Sequence, residues 1–380
     1  MPASQTHHLH PLGWESDPEE ERYKISTLDY LSVCSYNNYA LFCRLDDAAG
    51  TFVVDILKAG LERTLRDSTA RLVVQWLNSD PEYPSIDEIE EAHFSATKLG
   101  DLNTWSANFV RGGLVFIMLH HYANDMMGWA EPAEEDKSKV RLRHSGHKDQ
   151  LPGISLLFHL PKSKAAELKR LATPEDGTWL STYDAFSVFI LRTLTRVRGP
   201  VFNPDPSDPL FWAEAVDMRR RMHSPRVPPR IQGNVVFAAK STTVRAYIVQ
   251  PTISEIISDW PFWKLASYIR SLTNSVTQEN LDGLLRTVAR VRDKTSLNIR
   301  IDLMPPMSLL QTDHRDANAT AADFGFARPI TYRHLLDCVT NGVIGIYPPR
   351  MKEGRDGEDE RGVDGIDAAS TSEVPKYIHS

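Results

Sequence analysis

The sequence predicts an α/β fold, built either as two domains or as one large unit. Its 380 residues exceed what one compact core of the usual size accommodates. Hydrophobic residues make up 41% of the chain and charged residues 24%, which allows a sizeable core to be buried. A polar stretch at residues 131–150 indicates a linker between an N-terminal half, 25–130, and a C-terminal half, 151–350.

The composition indicates where the protein works and which partners it lacks. A net charge of −7 gives no general attraction for nucleic acid or anionic lipid, although a local basic pocket for a phosphorylated cofactor is compatible with it. Cys34, Cys43 and Cys338 lack CxxC spacing and are typical of free thiols in a reducing compartment. The N-terminus has no apolar signal core, and the longest apolar run, 114–119, is far too short to span a bilayer. We therefore expect a soluble, cytoplasmic monomer.

Four segments are recognisable within residues 1–103. Residues 1–24 are predicted to be a flexible lead-in, and 40–45 a strand. Apolar residues recur at helical spacing over 51–66, which predicts an amphipathic helix. The proline-rich and acidic stretch 79–103 is predicted to be mainly loop.

The clearest local pattern is a hairpin that ends in two histidines. Its arms are 107–110 and 114–119, joined by a turn at Arg111-Gly112-Gly113. The second arm is continuously apolar, as expected of a strand buried on both faces. It leads directly into His120 and His121.

The C-terminal half is predicted to alternate strands and helices. Strands are expected at 154–160, 211–216 and 234–239, a strand or a turn at 339–347, and helices at 161–170, 184–198 and, in two stretches, 265–291. Pro161 suits a first helical turn, and Ser181 or Thr182 suits the N-cap of the next helix. The Gly-rich, acidic composition of 351–380 predicts a mobile tail.

His121 is the first candidate for chemistry. A histidine at the end of a buried strand, in a loop closed by Gly128, is well placed to face a cavity. Its neutral imidazole can accept a hydroxyl proton, and a positioned base contributes roughly 10²–10⁴-fold to a rate. Asp125, four residues on, can hold the loop through an arginine. On spacing alone a structural histidine pair is favoured, and a metal site of His120, His121 and Asp125 is weaker because no second ligand cluster completes it.

Asp323-Phe324-Gly325-Phe326-Ala327 is a second motif. With His314-Arg315-Asp316 upstream it invites comparison with protein kinases. That interpretation fails because the Asn of a catalytic loop and a Gly-rich phosphate loop are both missing. The alternative is a turn with an aromatic cover.

Asp217-Met218-Arg219-Arg220-Arg221 is a third motif, followed by a proline-rich stretch and Gln232-Gly233-Asn234. One short arginine run in an acidic chain is poor support for nucleic-acid binding. An arginine that emerges from a strand instead suits the role of ion-pair partner for a buried aspartate.

In this order and at these separations the motifs resemble the BAHD acyltransferases, closest to the fungal trichothecene 3-O-acetyltransferase-like branch. The matches are His121 and Asp125, with His120 before them, for the family's HxxxD; Ser181-Thr182-Tyr183-Asp184-Ala185 for its Ser/Thr-x-x-Asp-Ala helix start; Asp217 to Asn234 for its Asp-x-Arg-x-Arg, proline-rich and Gly-Asn elements; and Asp323 to Ala327 for its DFGWG. The resemblance covers most of residues 25–350.

The resemblance implies two α/β domains like chloramphenicol acetyltransferase, with a channel between them. Acyl-CoA, and acetyl-CoA in particular, would enter as a co-substrate from one mouth and a small alcohol of secondary metabolism from the other. His121 would be the general base, and Asp125 would pair with Arg219 or Arg221. The loop of Asp323 and Gly325 would be structural, with no metal and no tightly bound cofactor.

The chain also departs from the family. Met126 replaces a glycine, and Phe326-Ala327 replaces Trp-Gly. The stretches 70–108, 131–150 and that after Tyr347 are shorter than usual, which predicts an incomplete fold that is less stable and weakly active or inactive. Two alternatives therefore stay open: a degenerate or truncated relative that only binds, and a condensation-type enzyme that forms amides.

Overall fold

The computed structural model describes fourteen segments of the chain. They are residues 4–16, 36–45, 50–67, 72–77, 84–92, 107–110, 113–120, 154–227, 234–241, 249–292, 304–317, 319–335, 342–348 and 363–369. The expected linker 131–150 and the candidates His121 and Asp125 lie outside these segments.

The first sheet has six strands in the order β1-β3-β4-β5-β2-β10. Their bounds are Ser4–Leu9 (β1), Tyr36–Arg44 (β2), Leu72–Leu77 (β3), Ala107–Val110 (β4), Gly113–His120 (β5) and Pro329–Leu335 (β10). All neighbours pair antiparallel except β3 and β4. The predicted strand at 40–45 and the predicted hairpin are confirmed.

Two helices belong to this half. The predicted helix at 51–66 is confirmed as α1, Gly50–Asp67, which buries Val53 and Leu57 one turn apart. The second, α2, is Ile86–Glu91, and Ser85 begins it with a capping box.

Arg44 at the end of β2 ties that strand to α2. Its guanidinium contacts Asp87 and Glu90, each at 2.7 Å. The preceding residue, Cys43, is a buried free thiol as the composition predicted, and burial raises its pKa to about 12.

The second sheet also has six strands, in the order β6-β12-β11-β9-β7-β8. Their bounds are Ile154–Leu160 (β6), Trp212–Asp217 (β7), Val236–Lys240 (β8), Leu309–Asp313 (β9), Val343–Tyr347 (β11) and Val363–Ala369 (β12). The three central strands β11, β9 and β7 run parallel to one another, and the other neighbours are antiparallel.

Four α-helices accompany this sheet. They are α3 (Lys162–Ala172), α4 (Thr182–Phe202), α5 (Phe262–Asn274) and α6 (Gln278–Ala289), with a π-helical turn at Glu255–Asp259. Ser181 is the N-cap of α4, as predicted, and forms a capping box with Asp184. The core between helices and sheet contains Val188 and Leu191 of α4, Leu265 and Ile269 of α5, and Trp212 of β7.

Two segments near the chain ends form strands. Part of the expected N-terminal lead-in is β1, which pairs with β3. Part of the expected mobile tail is β12, which lies between β6 and β11 and pairs with both. The acidic, Gly-rich composition concealed this strand because hydrogen bonds along both of its edges override a poor strand propensity.

One strand pairs across the two predicted halves. Strand β10 lies within the predicted C-terminal half, yet it pairs with β2 in the first sheet. The chain therefore leaves the second sheet after β9 and returns to it at β11. Such long-range pairing leaves no local signal in the sequence.

Candidate active site

The two sheets meet where β10 contacts the ends of β9 and β11. The Tyr332 hydroxyl donates to the His314 carbonyl at 2.7 Å, and its ring packs edge-on against Tyr347 with centroids 5.6 Å apart. The Arg333 guanidinium lies 5.1 Å from the Tyr347 ring centre. These contacts join the two sheets at one buried seam.

Strand β5 precedes the candidate His121 in the chain, and it ends at the same edge of the first sheet as β10. His120, the last residue of β5, pairs with Tyr36, and Leu335, the last residue of β10, pairs with Asn38. Both strands flank β2 and run in the same direction, so they end at one edge, roughly 10 Å apart. His121 comes next in the chain after this strand end.

Three parallel strands of the second sheet end beside one another. Asp217, Asp313 and Tyr347 are the last residues of β7, β9 and β11, and Ile346 pairs directly with Asp313. In α/β sheets the carboxyl ends of parallel strands are where ligands bind. The side chains that follow these ends are therefore candidates for the site.

Arg219 follows the end of β7 and is nearly buried, with 7% of its side chain exposed. Its Nη1 lies 3.1 Å from Asp217 Oδ1, which also accepts the Arg219 backbone N–H at 3.0 Å. This contact fixes the guanidinium at the strand edge. Its predicted pairing with Asp125 stays a prediction, since Asp125 lies outside the described residues.

Arg221, the other predicted partner of Asp125, has a different role. Its Nη1 donates to the carbonyls of Thr273 at 2.7 Å and Val276 at 2.9 Å, which occupy the end of α5. Cations at helix C-termini bind otherwise unsatisfied carbonyls in this way. Burial lowers the pKa of Arg221. Arg221 therefore lies against the end of α5, whereas Arg219 lies at the end of β7.

The loop of Asp323 and Gly325 is a self-contained turn. Asp323 Oδ1 accepts the Gly325 N–H at 2.9 Å, and its other oxygen lies 3.6 Å from Arg328 Nη2. Gly325 has a φ of +82°, and a Cβ there would lie 3.4 Å from Ile56 of α1. These contacts are consistent with the structural role implied for this loop.

Sequence analysis missed a buried carboxyl group beneath the site. Glu214 of β7 has no exposed surface and accepts from Tyr183 at 2.8 Å, from Thr273 and, more distantly, from Trp212 Nε1 at 3.5 Å. Burial raises its pKa above the ordinary glutamate value. The available signal was a single acid within the apolar run Phe211–Val216, because a buried carboxyl group requires hydrogen-bond donors.

Two further ion pairs surround the first turn of α4. Asp184 accepts from Ser181 and from Arg270 Nε at 2.9 Å. Arg315 binds both carboxylate oxygens of Asp313 and lies 5.9 Å from the Tyr183 ring centre. Helix α4 is thereby tied to α5 and to the end of β9.

The described segments contain neither a metal-ligand cluster nor a membrane-spanning helix. In that part of the chain no group of three or more His, Cys, Asp or Glu side chains could hold a metal ion. No helix there is long and apolar enough to cross a membrane.

Known proteins give a clear family relationship. No family model matches the chain. In an alignment of 436 positions, gaps included, the chain is 52% identical to acetyltransferase FGR3 of Gibberella zeae; the alignment covers 92% of this chain and 87% of that protein. It is also 25% identical over 180 residues to trichothecene 8-O-acetyltransferase of Fusarium sporotrichioides, covering 47% of this chain and 36% of that one.

Solved structures share the fold. The crystal structure of F. graminearum TRI101 complexed with coenzyme A and T-2 mycotoxin superposes with a TM-score of 0.71 at 18% identity, covering 94% of this chain and 96% of that one. Vinorine synthase superposes with a TM-score of 0.63 at 15% identity, covering 98% and 95%.

The two-sheet α/β fold and the sequence relationship define this chain as an acyltransferase. It belongs to the BAHD acyltransferase family, in the fungal trichothecene-type branch. The fold class, family and enzyme class implied by the motifs are confirmed. The channel between the domains and the roles of the site residues stay predictions.

Proposed function

We propose that this protein transfers an acetyl group from acetyl-CoA to a hydroxyl group of a small secondary metabolite. The observation that carries the proposal is the 52% identity to an acetyltransferase over 92% of this chain. Crystal structures of TRI101, which shares the fold, hold coenzyme A together with T-2 mycotoxin or deoxynivalenol. The acceptor class proposed here is therefore a polycyclic alcohol of that kind.

His121 is proposed as the general base. Its imidazole removes the proton of the acceptor hydroxyl while the oxygen attacks the thioester carbonyl. The tetrahedral intermediate then collapses, the C–S bond breaks, and the CoA thiolate recovers the proton from the imidazolium. A positioned base of this kind contributes roughly 10²–10⁴-fold.

Asp125 and Arg219 are proposed to hold the loop that carries His121. Support comes from the position of Arg219, which is nearly buried at the end of β7 and fixed there by Asp217. A carboxylate that pairs with this guanidinium would restrain its own loop against the second sheet. In this role Asp125 positions the loop of His121 and does not accept a proton.

The test uses purified protein, acetyl-CoA and deoxynivalenol. Release of CoA thiol that depends on the alcohol, with an acetylated product seen by mass spectrometry, is the expected result. Thiol release without acetylated alcohol would indicate another acceptor or hydrolysis. The absence of thiol release with a panel of alcohols and amines would support the degenerate alternative.

A further inference from the structure

Tyr332 of β10 joins the first sheet to the ends of two strands of the second. It is almost completely buried, and its hydroxyl donates to the carbonyl of His314, the residue that follows β9, at 2.7 Å. The ring packs edge-on against Tyr347, the equally buried last residue of β11. One side chain thus contacts the ends of both β9 and β11.

The turn that accepts this hydrogen bond is fixed to its own sheet. His314 donates its backbone N–H to a carbonyl of β11 at 2.8 Å, and its ring stacks on Tyr347 with centroids 6.1 Å apart. The next residue, Arg315, binds both carboxylate oxygens of Asp313. The bond from Tyr332 therefore ends on an anchored part of the second sheet, so it restrains the first sheet relative to the second.

The backbone of Tyr332 is also connected to the strand that precedes His121. Tyr332 pairs with Leu41 of β2, and Leu41 pairs with Phe116 of β5. Neighbouring strands lie about 4.8 Å apart, so these two ladders connect Tyr332 to β5 over roughly 10 Å. Strand β5 ends at His120, directly before the candidate base. Tyr332 therefore links the strand that leads to the base with the carboxyl ends of parallel strands, where ligands bind in α/β sheets.

We propose that Tyr332 is a positioning residue for acetyl transfer. Its hydrogen bond to the His314 carbonyl fixes the spacing of the two sheets, and this spacing sets the distance between His121 and the substrates at the strand ends. Tyr332 itself contacts no reacting atom and exchanges no proton. Spacing is decisive because a displacement of about 1 Å can cost about 10²-fold in rate. The inference rests on the proposed function in taking His121 as the base.

The first experiment measures acetyl transfer to deoxynivalenol by the wild type, Tyr332→Phe and the control Tyr268→Phe. Each variant keeps its ring and loses one buried hydroxyl, and Tyr268 lies in the core on α5. Tyr332→Phe should lower kcat about tenfold or more and leave the KM for acetyl-CoA within about twofold, because each sheet keeps its own binding surface. Tyr268→Phe should keep the wild-type kcat, and both variants should show a similar, small fall in melting temperature.

The second experiment measures the coupling between Tyr332 and the base. In a His121→Ala background, Tyr332→Phe should lower the remaining rate less than about twofold, because a residue that acts by positioning the base loses its effect when the base is absent. A loss of about tenfold in that background overturns the proposal. An unchanged kcat in Tyr332→Phe, or a raised KM with an unchanged kcat, overturns it as well.

Amide hydrogen exchange tests the restraint between the sheets without turnover. Faster exchange at the ends of β9 and β11 in Tyr332→Phe, with no such change in Tyr268→Phe, is the expected result. Unchanged exchange in a folded Tyr332→Phe overturns the proposal whatever its activity. A wild type that transfers no acetyl group to any alcohol refutes the proposed function instead, and the exchange measurement still decides whether Tyr332 fixes the two sheets.

Discussion

Tyr183 donates its hydroxyl hydrogen to Glu214 at 2.8 Å, which links the first turn of α4 to the middle of β7. The same carboxyl group accepts from Thr273 of α5, whose carbonyl binds Arg221. One buried acid thus connects two helices, a strand and the turn after β7. Burial raises the pKa of Glu214. The pKa of Tyr183 is also raised, mainly by burial and secondly by the charge of Glu214.

The first prediction concerns the pH dependence of stability. A carboxyl group with a raised folded-state pKa favours folding below its unfolded-state pKa, and this contribution is lost as pH rises through the folded-state pKa. Glu214→Gln keeps the shape and an acceptor for Tyr183 but cannot ionise. The melting temperature of this variant should therefore decline less above about pH 5 than that of the wild type. The exposed Glu167→Gln is the control, and parallel melting curves for all three proteins would refute the assignment.

The contacts of Glu214 with Tyr183 and Thr273 could not be predicted from the sequence. The hairpin before His120 and the cap at Ser181 depend on neighbouring residues, and both were predicted. Glu214 meets Tyr183 across 31 residues and Thr273 across 59, so no local pattern brings these groups together.

Two strands could not be predicted from the sequence for a related reason. β12 is stabilised by backbone pairing on both edges, which its side chains do not reveal. β10 pairs with β2, a partner in the other half of the chain. The identity of the candidate site residues came from family motifs, whereas the structure shows that Arg219 contacts Asp217 and that Arg221 contacts the end of α5.

The second prediction tests the candidate base. His121→Ala should lower turnover by roughly 10²-fold or more, because the proton acceptor is lost. The melting temperature should change little, because the fold is kept. His120→Ala is the matched control and should keep most of the activity. If His120→Ala loses activity and His121→Ala does not, the base is His120 and not His121.

The third prediction concerns the arginine at the end of β7. Leaving one charge of a desolvated ion pair without its partner costs about 3–5 kcal/mol, so Arg219→Met and Asp125→Ala should each lower both melting temperature and activity. Their double variant should be less destabilised than the sum of the two. Arg220→Ala, an exposed neighbour, is the control. Strict additivity in the double-mutant cycle would show that Asp125 and Arg219 do not interact.

The fourth prediction separates structure from chemistry in the late motif. Gly325 has a φ of +82°, a conformation that costs a residue with a side chain about 1–2 kcal/mol. Gly325→Ala should therefore lower the melting temperature and leave kcat nearly unchanged. Gly60→Ala in α1, where a Cβ meets nothing within 4 Å, should be neutral or stabilising. A large loss of kcat in a fully folded Gly325→Ala would place this loop in the chemistry instead.

The last prediction concerns β12 and the shortened C-terminal region. Because β12 lies between β6 and β11, removing it would expose two unpaired strand edges inside the second sheet. Ile366 pairs with Leu157 on one side and Gly345 on the other, and proline there removes a ladder hydrogen bond. Truncation after residue 350 should therefore abolish cooperative unfolding and acetyl-CoA binding, and Ile366→Pro should weaken both. Truncation after residue 371 keeps β12 and is the control. If the protein cut after residue 350 still melts cooperatively and binds acetyl-CoA in a titration, β12 is dispensable and the fold is complete without it.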